Sequence, residues 1–374
     1  MSKEICVIVG TRPGIIMMAP IIHALQAADH PHYVIHTGQH YSPEMDVELF
    51  EDLGLTAPAY HLKGAAEAQT HATKTARMME GCEAAFLERR PGVVLVNGDA
   101  NSNVAAALAG RKLGVPLAHS EAGERSYDWR MPEEHNRRIM DHISELLFAT
   151  NDKARDILLG EKVPGAVHVT GNTIVDASLN HAVVAQERSN ALSERGLTAQ
   201  DYLLLTAHRE ENVDQPDRLE AIVRGAQAAG EAAGCDVVFP AHPRTAKNLE
   251  AFGLMDLARK SSRIRMTPAL RYLDFMQLLI NARAVVTDSG GVQQEAFIHR
   301  RPCVTIRDNT EWTETVARRG NRIAGASDPE RICGAVVAAL AETDADWTPV
   351  FGDGRAAERI VAHCARLLED GAPS

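Results

Sequence analysis

Residues 5–27 read ICVIVGTRPGIIMMAPIIHALQA, and the alternation seen in this stretch continues along the chain. Its first five residues, Ile5–Val9, are apolar and mostly β-branched, as is typical of a buried strand. The turn GTRPG follows, and apolar side chains then recur at helical spacing over residues 15–27. A strand that is apolar along its whole length is typical of a parallel sheet covered on both faces. The stretch therefore predicts a strand–turn–helix unit of an α/β fold.

Short apolar runs alternate with helical patterns throughout, which predicts βαβ units and doubly wound parallel sheets. Further strands are expected at residues 33–36, 93–96, 115–118, 146–149, 167–170, 202–206, 237–239, 264–266, 284–287 and 303–306. The alternation restarts near residue 168, so we expect two α/β domains, 1–168 and 169–354. An amphipathic helix over residues 355–368 follows the turn FGDG near the end of the chain.

The 374 residues include 39 Lys or Arg and 50 Asp or Glu, which gives a net charge of −11. Hydrophobic residues at 45% and charged residues at 24% are ordinary for a folded protein and exclude wholesale disorder. An acidic chain is a poor non-specific ligand for nucleic acid, which requires a basic face. The six cysteines are dispersed without a CxxC pair, and no apolar run is long enough to span a membrane. We therefore expect a soluble cytoplasmic protein with reduced thiols, no structural zinc, and no membrane or nucleic-acid partner.

Ligands of doubly wound sheets bind beyond the carboxyl ends of the strands, and the turn GTRPG lies at such an end. A glycine-rich turn before a helix presents backbone N–H groups to an anion, and Arg12 adds a guanidinium suited to phosphate. A plain turn with a surface arginine is an equally good interpretation. The turn is not GxGxxG, and GxxxxGK[ST] occurs nowhere, so neither a dinucleotide fingerprint nor a P-loop is supported.

Three carboxylates of the first half follow predicted strands or open a predicted helix. Asp99 follows the strand 93–96, Glu121 follows the strand 115–118, and Glu133 lies in the first turn of a helix opened by Pro132. Taken singly, Asp99 is equally explained as a helix N-cap and Glu133 as a charge that favours a helix N-terminus. Carboxylates that converge on one cleft raise each other's pKa, which suits proton transfer.

The strand ends of the second half carry basic or hydroxyl-bearing side chains. The motifs are AHREEN at 207–212, HPR at 242–244, DSGGVQQE at 288–295 and RDNTE at 307–311. Ser-Gly-Gly opening a helix predicts a cradle for a diphosphate, and Glu295 one turn later is placed to accept hydrogen bonds from ribose hydroxyls. A lone His208 or His242 is more often structural, but the coincidence of several such strand ends favours a nucleotide-diphosphate site.

Together these motifs resemble those of the non-hydrolysing UDP-N-acetylglucosamine 2-epimerases. The resemblance runs from GTRP to FGDG, and its most specific stretches are TGQHYSPEMD, MPEEHNRRIMDHISELLFA, TGNTIVDA, TAHREENV, TDSGGVQQEA and RDNTEWTETV. It implies two Rossmann-like domains facing a deep cleft, the glycosyltransferase-B architecture, with the helix at 355–374 packing back on the first domain. It also implies a homodimer.

The activity implied by the resemblance is the interconversion of UDP-N-acetylglucosamine and UDP-N-acetylmannosamine. The family eliminates UDP to give 2-acetamidoglucal and then adds UDP back, without a cofactor such as NAD and without a metal. The implied catalytic residues are Asp99, Glu121, Glu133 and His208. The implied UDP-binding residues are Arg12, Arg209, His242, Phe275, Ser289, Gly290, Gly291, Glu295 and Arg307.

The chain departs from the family pattern at several positions near these residues. The family usually reads GTRPE-x-x-K, whereas this chain has Gly14 and Met17, and Ser120 and Glu124 replace a common valine and leucine. Around the Gly-Asp of the family, where His or Gln and Thr are common, this chain has Asn97, Ala100 and Asn101. Some members have a second, activating substrate site, but Glu210 stands where those members have arginine. Four alternatives stay open: epimerisation of a modified UDP-sugar, a hydrolysing 2-epimerase that releases UDP, a glycosyltransferase, and a sugar-nucleotide-binding protein without activity.

Overall fold

The computed structural model describes residues 3–39, 43–65, 68 and 70–370. Within the quoted stretch TGQHYSPEMD, residues 40–42 lie outside the described residues, as do residues 371–374 at the end of the expected last helix. The chain divides into two compact units. Unit 1 comprises Met1–Asn180 and Phe351–Ser374, and unit 2 comprises His181–Val350. No helix in the described part of the chain is long and apolar enough to cross a membrane.

The sheet of unit 1 has seven parallel strands in the order β3-β2-β1-β4-β5-β6-β7. The strands are β1 (Ile5–Val9), β2 (His32–His36), β3 (Tyr60–His61), β4 (Val93–Asn97), β5 (Leu117–Ala122), β6 (Leu146–Ala149) and β7 (Ala166–Val169). Every residue of β1 and β4 is buried, because helices cover both faces of the sheet centre.

The helices of unit 1 connect these strands in sequence. They are α1 (Arg12–Ala27), α2 (Pro43–Asp52), α3 (His71–Glu88), α4 (Asn101–Lys112), α5 (Pro132–Ile143), α6 (Asp152–Gly160), α7 (Thr173–Arg188), which continues into unit 2, and α17 (Ala356–Asp370). The Asp176 carboxylate accepts the N–H groups of Ala356 and Ala357 at 3.2 and 2.9 Å, and so fixes the start of α17. Helix α17 packs on α1 through its apolar face.

Unit 2 has six parallel strands in the order β10-β9-β8-β11-β12-β13. They are β8 (Tyr202–Thr206), β9 (Asp236–Ala241), β10 (Ile264–Pro268), β11 (Ala284–Thr287), β12 (Cys303–Thr305) and β13 (Asn321–Ile323). Its helices are α8 (Ala191–Glu194), α9 (Glu210–Val213), α10 (Pro216–Ala233), α11 (Pro243–Ala251), α12 (Met255–Lys260), α13 (Tyr272–Asn281), α14 (Gly290–Ile298), α15 (Thr313–Ala317) and α16 (Pro329–Leu340).

The predicted fold class is confirmed, with two doubly wound parallel sheets. One strand boundary was wrong in a way that concerns the site. The run 115–118 was expected to end before Glu121, but β5 continues to Ala122. The register with β6 shifts between Ser120 and Ala122, so Glu121 lies at a bulge inside the strand, with a left-handed φ of 67°.

Candidate active site

The turn after β1 is fixed by close packing and by a helix cap. A Cβ on Gly10 would overlap Thr37 Oγ1, so only glycine fits there. Thr11 caps α1 by accepting the Gly14 N–H at 3.2 Å. Arg12 is the first residue of α1, and within the described part of the chain no group accepts a hydrogen bond from its guanidinium. The cation at this helix N-terminus is therefore available to an anion.

The loop after β4 is held by side chains from three other elements. The carbonyl oxygens of residues 97–99 accept one such hydrogen bond each. The donors are Asn103 on α4 for Asn97, His119 on β5 for Gly98 at 3.1 Å, and Asn136 on α5 for Asp99 at 2.8 Å. The loop that carries Asp99 is thus fixed at three successive peptides.

The Asp99 carboxylate forms an ion pair with Arg137 of α5. Asp99 does not cap α4, whose N-cap position is Ala100. Arg137 also lies 3.4 Å from Glu134, which is fully buried and accepts hydrogen bonds from Ser126. The ion pair with Arg137 therefore replaces the capping role that the sequence also allowed for Asp99.

Glu121 lies against the loop that carries Asp99. A Cβ on Gly98, whose φ is 71°, would lie 3.0 Å from Glu121 Oε2. Burial, followed by the negative charges of Asp99 and Glu124, raises the pKa of Glu121 to about 8, although Arg137 acts in the opposite direction. At neutral pH Glu121 is therefore mostly a neutral carboxylic acid that can donate a proton.

Glu133 and Glu134 are neighbours with different surroundings. Glu134 is buried and bonded to Ser126 and Arg138, which makes it part of the scaffold. Glu133 is partly buried, and none of the described residues donates a hydrogen bond to it. It lies four residues before Arg137, and therefore on the same face of α5. Among the described residues, Glu133 therefore makes no hydrogen bond that would give it a structural role.

Two of the departures from the family pattern are in contact. Asn97 Nδ2 lies 3.6 Å from Met17 Sδ, so α1 and the end of β4 meet at these side chains. Asn97 is 4% exposed, and its Oδ1 accepts no hydrogen bond from the residues that the structure describes. A third departure, Glu124, accepts a hydrogen bond from Thr150 at 2.5 Å.

In unit 2, His208 is held by Asp288, a fully buried carboxylate at the end of β11. The Asp288 oxygens accept the backbone N–H of His208 at 3.0 and 3.1 Å and lie 3.2 Å from its Nδ1. Burial by itself raises the pKa of Asp288, but the hydrogen bond and charge of His208 outweigh it and hold that pKa below its usual range. The side chain of His208 is 42% exposed, so it is fixed but accessible.

Ser289, Gly290 and Gly291, which the sequence predicts to form a diphosphate cradle, stand at the start of α14. Ser289 caps the helix by accepting the Val292 N–H at 3.5 Å. Apart from its chain neighbours and the backbone of its own helix, no described atom lies within 4 Å of the position of a Cβ on Gly291. A Cβ on Gly290 would lie 2.9 Å from Glu311 Oε1. The cradle is therefore open at Gly291 and covered by the Glu311 carboxylate at Gly290.

Two of the predicted cations converge on that carboxylate. Glu311 pairs with Arg307 at 2.8 Å and with Arg209 at 4.0 Å. The Arg307 side chain is only 12% exposed, so its guanidinium has few ways to move. Both arginines thus lie near the start of α14, where a negative charge is favoured.

The other predicted residues of unit 2 are His242, Glu295 and Phe275. His242 caps α11 by accepting the Arg244 N–H at 3.2 Å, and its ring centroid lies 5.9 Å from that of His208. Tyr272 donates a hydrogen bond to Glu295 at 3.3 Å, and burial raises the pKa of Glu295 to about 7. Phe275 packs against the hydrophobic core beside α13.

Four functional residues were missed by the sequence reasoning: Arg137, His119, Asp288 and Glu311. Arg137 had a detectable signal, since its spacing of four from Glu133 places both on one helix face. Asp288 and Glu311 lie inside quoted motifs and His119 lies outside them, and for all three only the structural partners indicate a role. In the described part of the chain, no group of three or more His, Cys, Asp or Glu side chains could hold a metal ion.

The model of a family described as UDP-N-acetylglucosamine 2-epimerase matches residues 23–365. This chain belongs to that family. A UDP-N-acetylglucosamine 2-epimerase of Methanocaldococcus jannaschii is 42% identical over 361 residues, which are 96% of this chain and 98% of the relative. A UDP-2,3-diacetamido-2,3-dideoxy-D-glucuronate 2-epimerase of Pseudomonas aeruginosa is 38% identical over 370 residues, 97% of this chain and 100% of the relative. The predicted family and the predicted class of enzyme, a UDP-sugar epimerase, are thereby confirmed.

Solved structures of this epimerase family have the same fold. The M. jannaschii enzyme in complex with UDP-GlcNAc and UDP has a TM-score of 0.86, and the alignment covers 98% of this chain and 100% of that one. A Neisseria meningitidis UDP-GlcNAc 2-epimerase bound to UDP-GlcNAc is 28% identical, with a TM-score of 0.85 over 97% of this chain and 100% of that one. A spinosyn rhamnosyltransferase complexed with thymidine diphosphate, 16% identical with a TM-score of 0.58 over 99% of both chains, shares the fold, as expected for the glycosyltransferase-B class.

Proposed function

We propose that this protein inverts C2 of UDP-N-acetylglucosamine, interconverting it with UDP-N-acetylmannosamine by eliminating UDP and adding it back. The observation that supports this most directly is the arrangement of two carboxyls in unit 1. Burial raises the pKa of Glu121 to about 8, whereas Asp99 beside it is ion-paired with Arg137. Two carboxyls kept in different environments suit one proton donor and one acceptor. Which of them removes the proton stays open.

The chemistry accounts for the residue types. The C2–H is not next to a carbonyl, so it becomes acidic only as the C1–O bond to UDP breaks and C1 gains positive charge. The electron pair of the C1–O bond leaves with UDP, a base takes the C2 proton, and a C1=C2 double bond forms. Return of a proton to the opposite face of C2 and re-addition of UDP complete the inversion. No electrons are gained or lost, so the reaction requires no redox cofactor.

We assign the leaving diphosphate to residues of unit 2. Backbone N–H groups at the start of α14, with Arg209 and Arg307, would stabilise the negative charge that develops on UDP. His208, oriented by Asp288, is placed to assist the phosphate oxygen that leaves C1. We propose Arg12 as a further phosphate ligand, since no described residue accepts a hydrogen bond from its guanidinium. Glu295, whose pKa burial raises to about 7, is the proposed ligand of the ribose hydroxyls.

A second candidate is epimerisation of a modified UDP-sugar. Met17 removes a cation that the family usually has, and Glu124 adds an anion near Glu121. Both changes alter the charge offered to substituents of the sugar. The P. aeruginosa relative is named a UDP-2,3-diacetamido-2,3-dideoxy-D-glucuronate 2-epimerase, which supports this candidate.

The test is incubation with UDP-N-acetylglucosamine in D₂O, followed by proton NMR. Deuterium at C2 together with a new manno isomer supports the proposal. Free sugar plus UDP would indicate a hydrolysing enzyme, and exchange only with a modified UDP-sugar would indicate the second candidate. If the protein binds UDP but neither exchanges C2–H nor releases sugar from UDP-N-acetylglucosamine or a modified UDP-sugar, the enzymatic proposal is overturned.

Asp99→Asn is expected to lower turnover at least tenfold. Asp156→Asn, which changes an exposed carboxylate in unit 1, is the matched control.

We also propose that the protein is a cytoplasmic homodimer. All six cysteines are free thiols, and five of them are buried, which suits a reducing compartment. Tyr127 and Trp129 are each 63% exposed next to Arg138, and exposed aromatic side chains beside arginine are common at protein interfaces. Light scattering after size-exclusion chromatography measures the assembly, and a monomer at micromolar concentration would contradict the dimer.

A further inference from the structure

The ring of His119 is completely buried between two oxygen atoms that can only accept hydrogen bonds at this position. Nδ1 lies 2.8 Å from Asp141 Oδ1, and Nε2 lies 3.1 Å from the carbonyl oxygen of Gly98. A carboxylate and a peptide carbonyl are both acceptors, so each ring nitrogen faces an atom to which an N–H can donate. A buried ring whose two nitrogens both face acceptors at hydrogen-bond distance links its neighbours, because no water can replace either contact.

One side of this link is anchored by a network of buried charges. The other oxygen of Asp141 pairs with Arg125 at 2.6 Å and accepts the Gly123 N–H at 3.3 Å. Arg125 in turn pairs with Glu161 at 2.7 Å. Asp141 on α5 thus fixes the segment that follows β5 as well as the His119 ring. The His119 ring is therefore held in place on its Asp141 side.

The group it holds is the peptide between the two carboxyls of the proposed acid–base pair. Gly98 donates its N–H to the Ser120 carbonyl at 3.0 Å while its own carbonyl accepts from His119. Asp99 is the next residue, and a Cβ on Gly98 would lie 3.0 Å from Glu121 Oε2. A rotation of this peptide would therefore change the separation of Asp99 from Glu121.

We propose that His119 is a positioning residue, which fixes the spacing of the Asp99 and Glu121 carboxyls through its hydrogen bond to the Gly98 carbonyl. The kinetic part of this inference rests on the proposed function, whereas the geometric part does not. Asn103 and Asn136 hold the carbonyl groups on either side of Gly98. His119 holds the central one, and its donor comes from the strand that also carries Glu121.

Two substitutions separate the hydrogen bonds of the ring. In His119→Gln the amide nitrogen takes the place of Nε2 and can still reach Gly98, whereas in His119→Asn it takes the place of Nδ1 and reaches only Asp141. Both replace an imidazole by a primary amide in the same buried site. We expect His119→Asn to lower kcat at least tenfold and His119→Gln by no more than threefold, with the Kd for UDP within twofold of wild type in both. Equal losses of kcat in the two variants would overturn the proposal.

A second readout does not depend on catalysis. Carboxyl ¹³C NMR of glutamate-labelled protein follows the titration of Glu121, assigned by its loss in Glu121→Gln. Asp99, Glu124 and Arg137 are the charged groups that face this carboxyl, and the spacing from Asp99 is the one that His119 controls. His119→Asn is expected to move the midpoint by at least half a pH unit from wild type, and His119→Gln by less. Identical midpoints in all three proteins would contradict the positioning role even if the chain has no epimerase activity.

The wild-type protein gives a measurement that needs no folded variant. Both ring N–H hydrogens of His119 are expected to exchange slowly with D₂O in ¹⁵N-histidine-labelled protein, because both are buried and bonded. A single protected ring hydrogen would mean that one of the two links is absent. Absence of C2 exchange in the wild type, with both hydrogens protected and the Glu121 midpoint shifted in His119→Asn, would refute the proposed function and leave the positioning role intact.

Discussion

The Asp288 carboxylate contacts His208 at two atoms, because it accepts the backbone N–H of His208 and lies next to Nδ1 of its ring. Asp288→Asn is expected to lower turnover at least tenfold. An asparagine amide has a single oxygen, so it cannot replace both oxygens of the carboxylate as acceptors. Loss of these bonds should also lower the free energy of unfolding by about 1–3 kcal/mol. Steady-state kinetics and urea denaturation measure the two effects.

The control for Asp288→Asn is Asp308→Asn, an exposed carboxylate of the same unit that pairs with Arg218. It should be close to wild type in turnover and within about 0.5 kcal/mol in stability. An Asp288→Asn enzyme with wild-type turnover would show that His208 needs no orienting carboxylate.

Glu124 is expected to set part of the pH profile through Glu121. The pKa of Glu121 is raised to about 8 by burial, then by Asp99, then by Glu124. Glu124→Gln removes the negative charge of Glu124 and so lowers the pKa of Glu121. The alkaline limb of the kcat profile is therefore expected to move to lower pH. Rates measured from pH 6 to 10 give the shift. Asp152→Asn, an exposed carboxylate on α6, should leave the limb in place, and an upward shift for Glu124→Gln would refute the assignment.

Glu121→Gln is expected to change how stability depends on pH. The pKa of Glu121 in the folded protein is about 8, above its ordinary value of 4.5, so the native state binds the proton more tightly than the unfolded chain. Stability from this group is fully present below pH 4.5 and is lost as the pH rises through 8. An amide has no proton to lose, so the variant should gain in melting temperature over wild type more at pH 9 than at pH 5. Equal differences at both pH values would contradict the raised pKa.

His168 and His363 stack at 3.8 Å between β7 and α17, and burial lowers the pKa of each ring. Arg366 also acts on both rings in the same direction, and Phe148 lies 6.0 Å from His363. The neutral forms are favoured in the folded state, so their stability contribution is present above pH 6.5 and is lost as the pH falls below it. His363→Phe keeps an aromatic ring but cannot take up a proton.

Thermal unfolding at pH 7.5 and pH 5.5 tests the histidine pair. His363→Phe should lose less melting temperature between the two pH values than wild type does. His135→Asn, an exposed histidine of α5, is the control and should show the wild-type decrease. A larger decrease for His363→Phe would show that the stacked pair is not the source of the acid sensitivity.

Glu311→Gln is expected to bind UDP three- to tenfold more tightly than wild type. The Glu311 carboxylate pairs with Arg209 and Arg307 and covers Gly290, where a diphosphate would need the same positive groups. Such a gain is about 0.6–1.4 kcal/mol, the range expected when a partly exposed ion pair is released. Isothermal titration calorimetry with UDP measures it, with Glu330→Gln on α16 as an exposed control. Weaker binding would instead mean that Glu311 holds the arginines in place for the nucleotide.

Much of the fold follows from the periodicity of apolar residues. The strands Ile5–Val9, Leu146–Ala149, Tyr202–Thr206 and Ala284–Thr287 have the predicted bounds, because an uninterrupted apolar run marks both ends. Strands β3 and β13 have two and three residues, too few to display a period of two. Strand β5 extends through His119, Ser120 and Glu121, polar side chains that interrupt the apolar run although the backbone still pairs.

The site was predictable where a residue type and its place after a strand indicate one chemistry, as for Asp99, His208 and the start of α14. It was not predictable where function depends on a partner distant in sequence. The pairing of Asp99 with Arg137 spans 38 residues, and that of His208 with Asp288 spans 80. The bulge at Glu121 likewise depends on the register with β6, which single-sequence patterns do not report.

The return of the chain to unit 1 has a consequence for its synthesis. Unit 2 is one continuous segment, whereas unit 1 is completed by α17, which packs on α1 with Ile360, Val361 and Cys364 buried. Translation proceeds from the N-terminus, so every residue of unit 2 has been made before the first residue of α17. Until residues 356–370 have been made, the part of α1 that packs on α17 has no cover. A nascent chain stalled there presents that surface to chaperones and proteases.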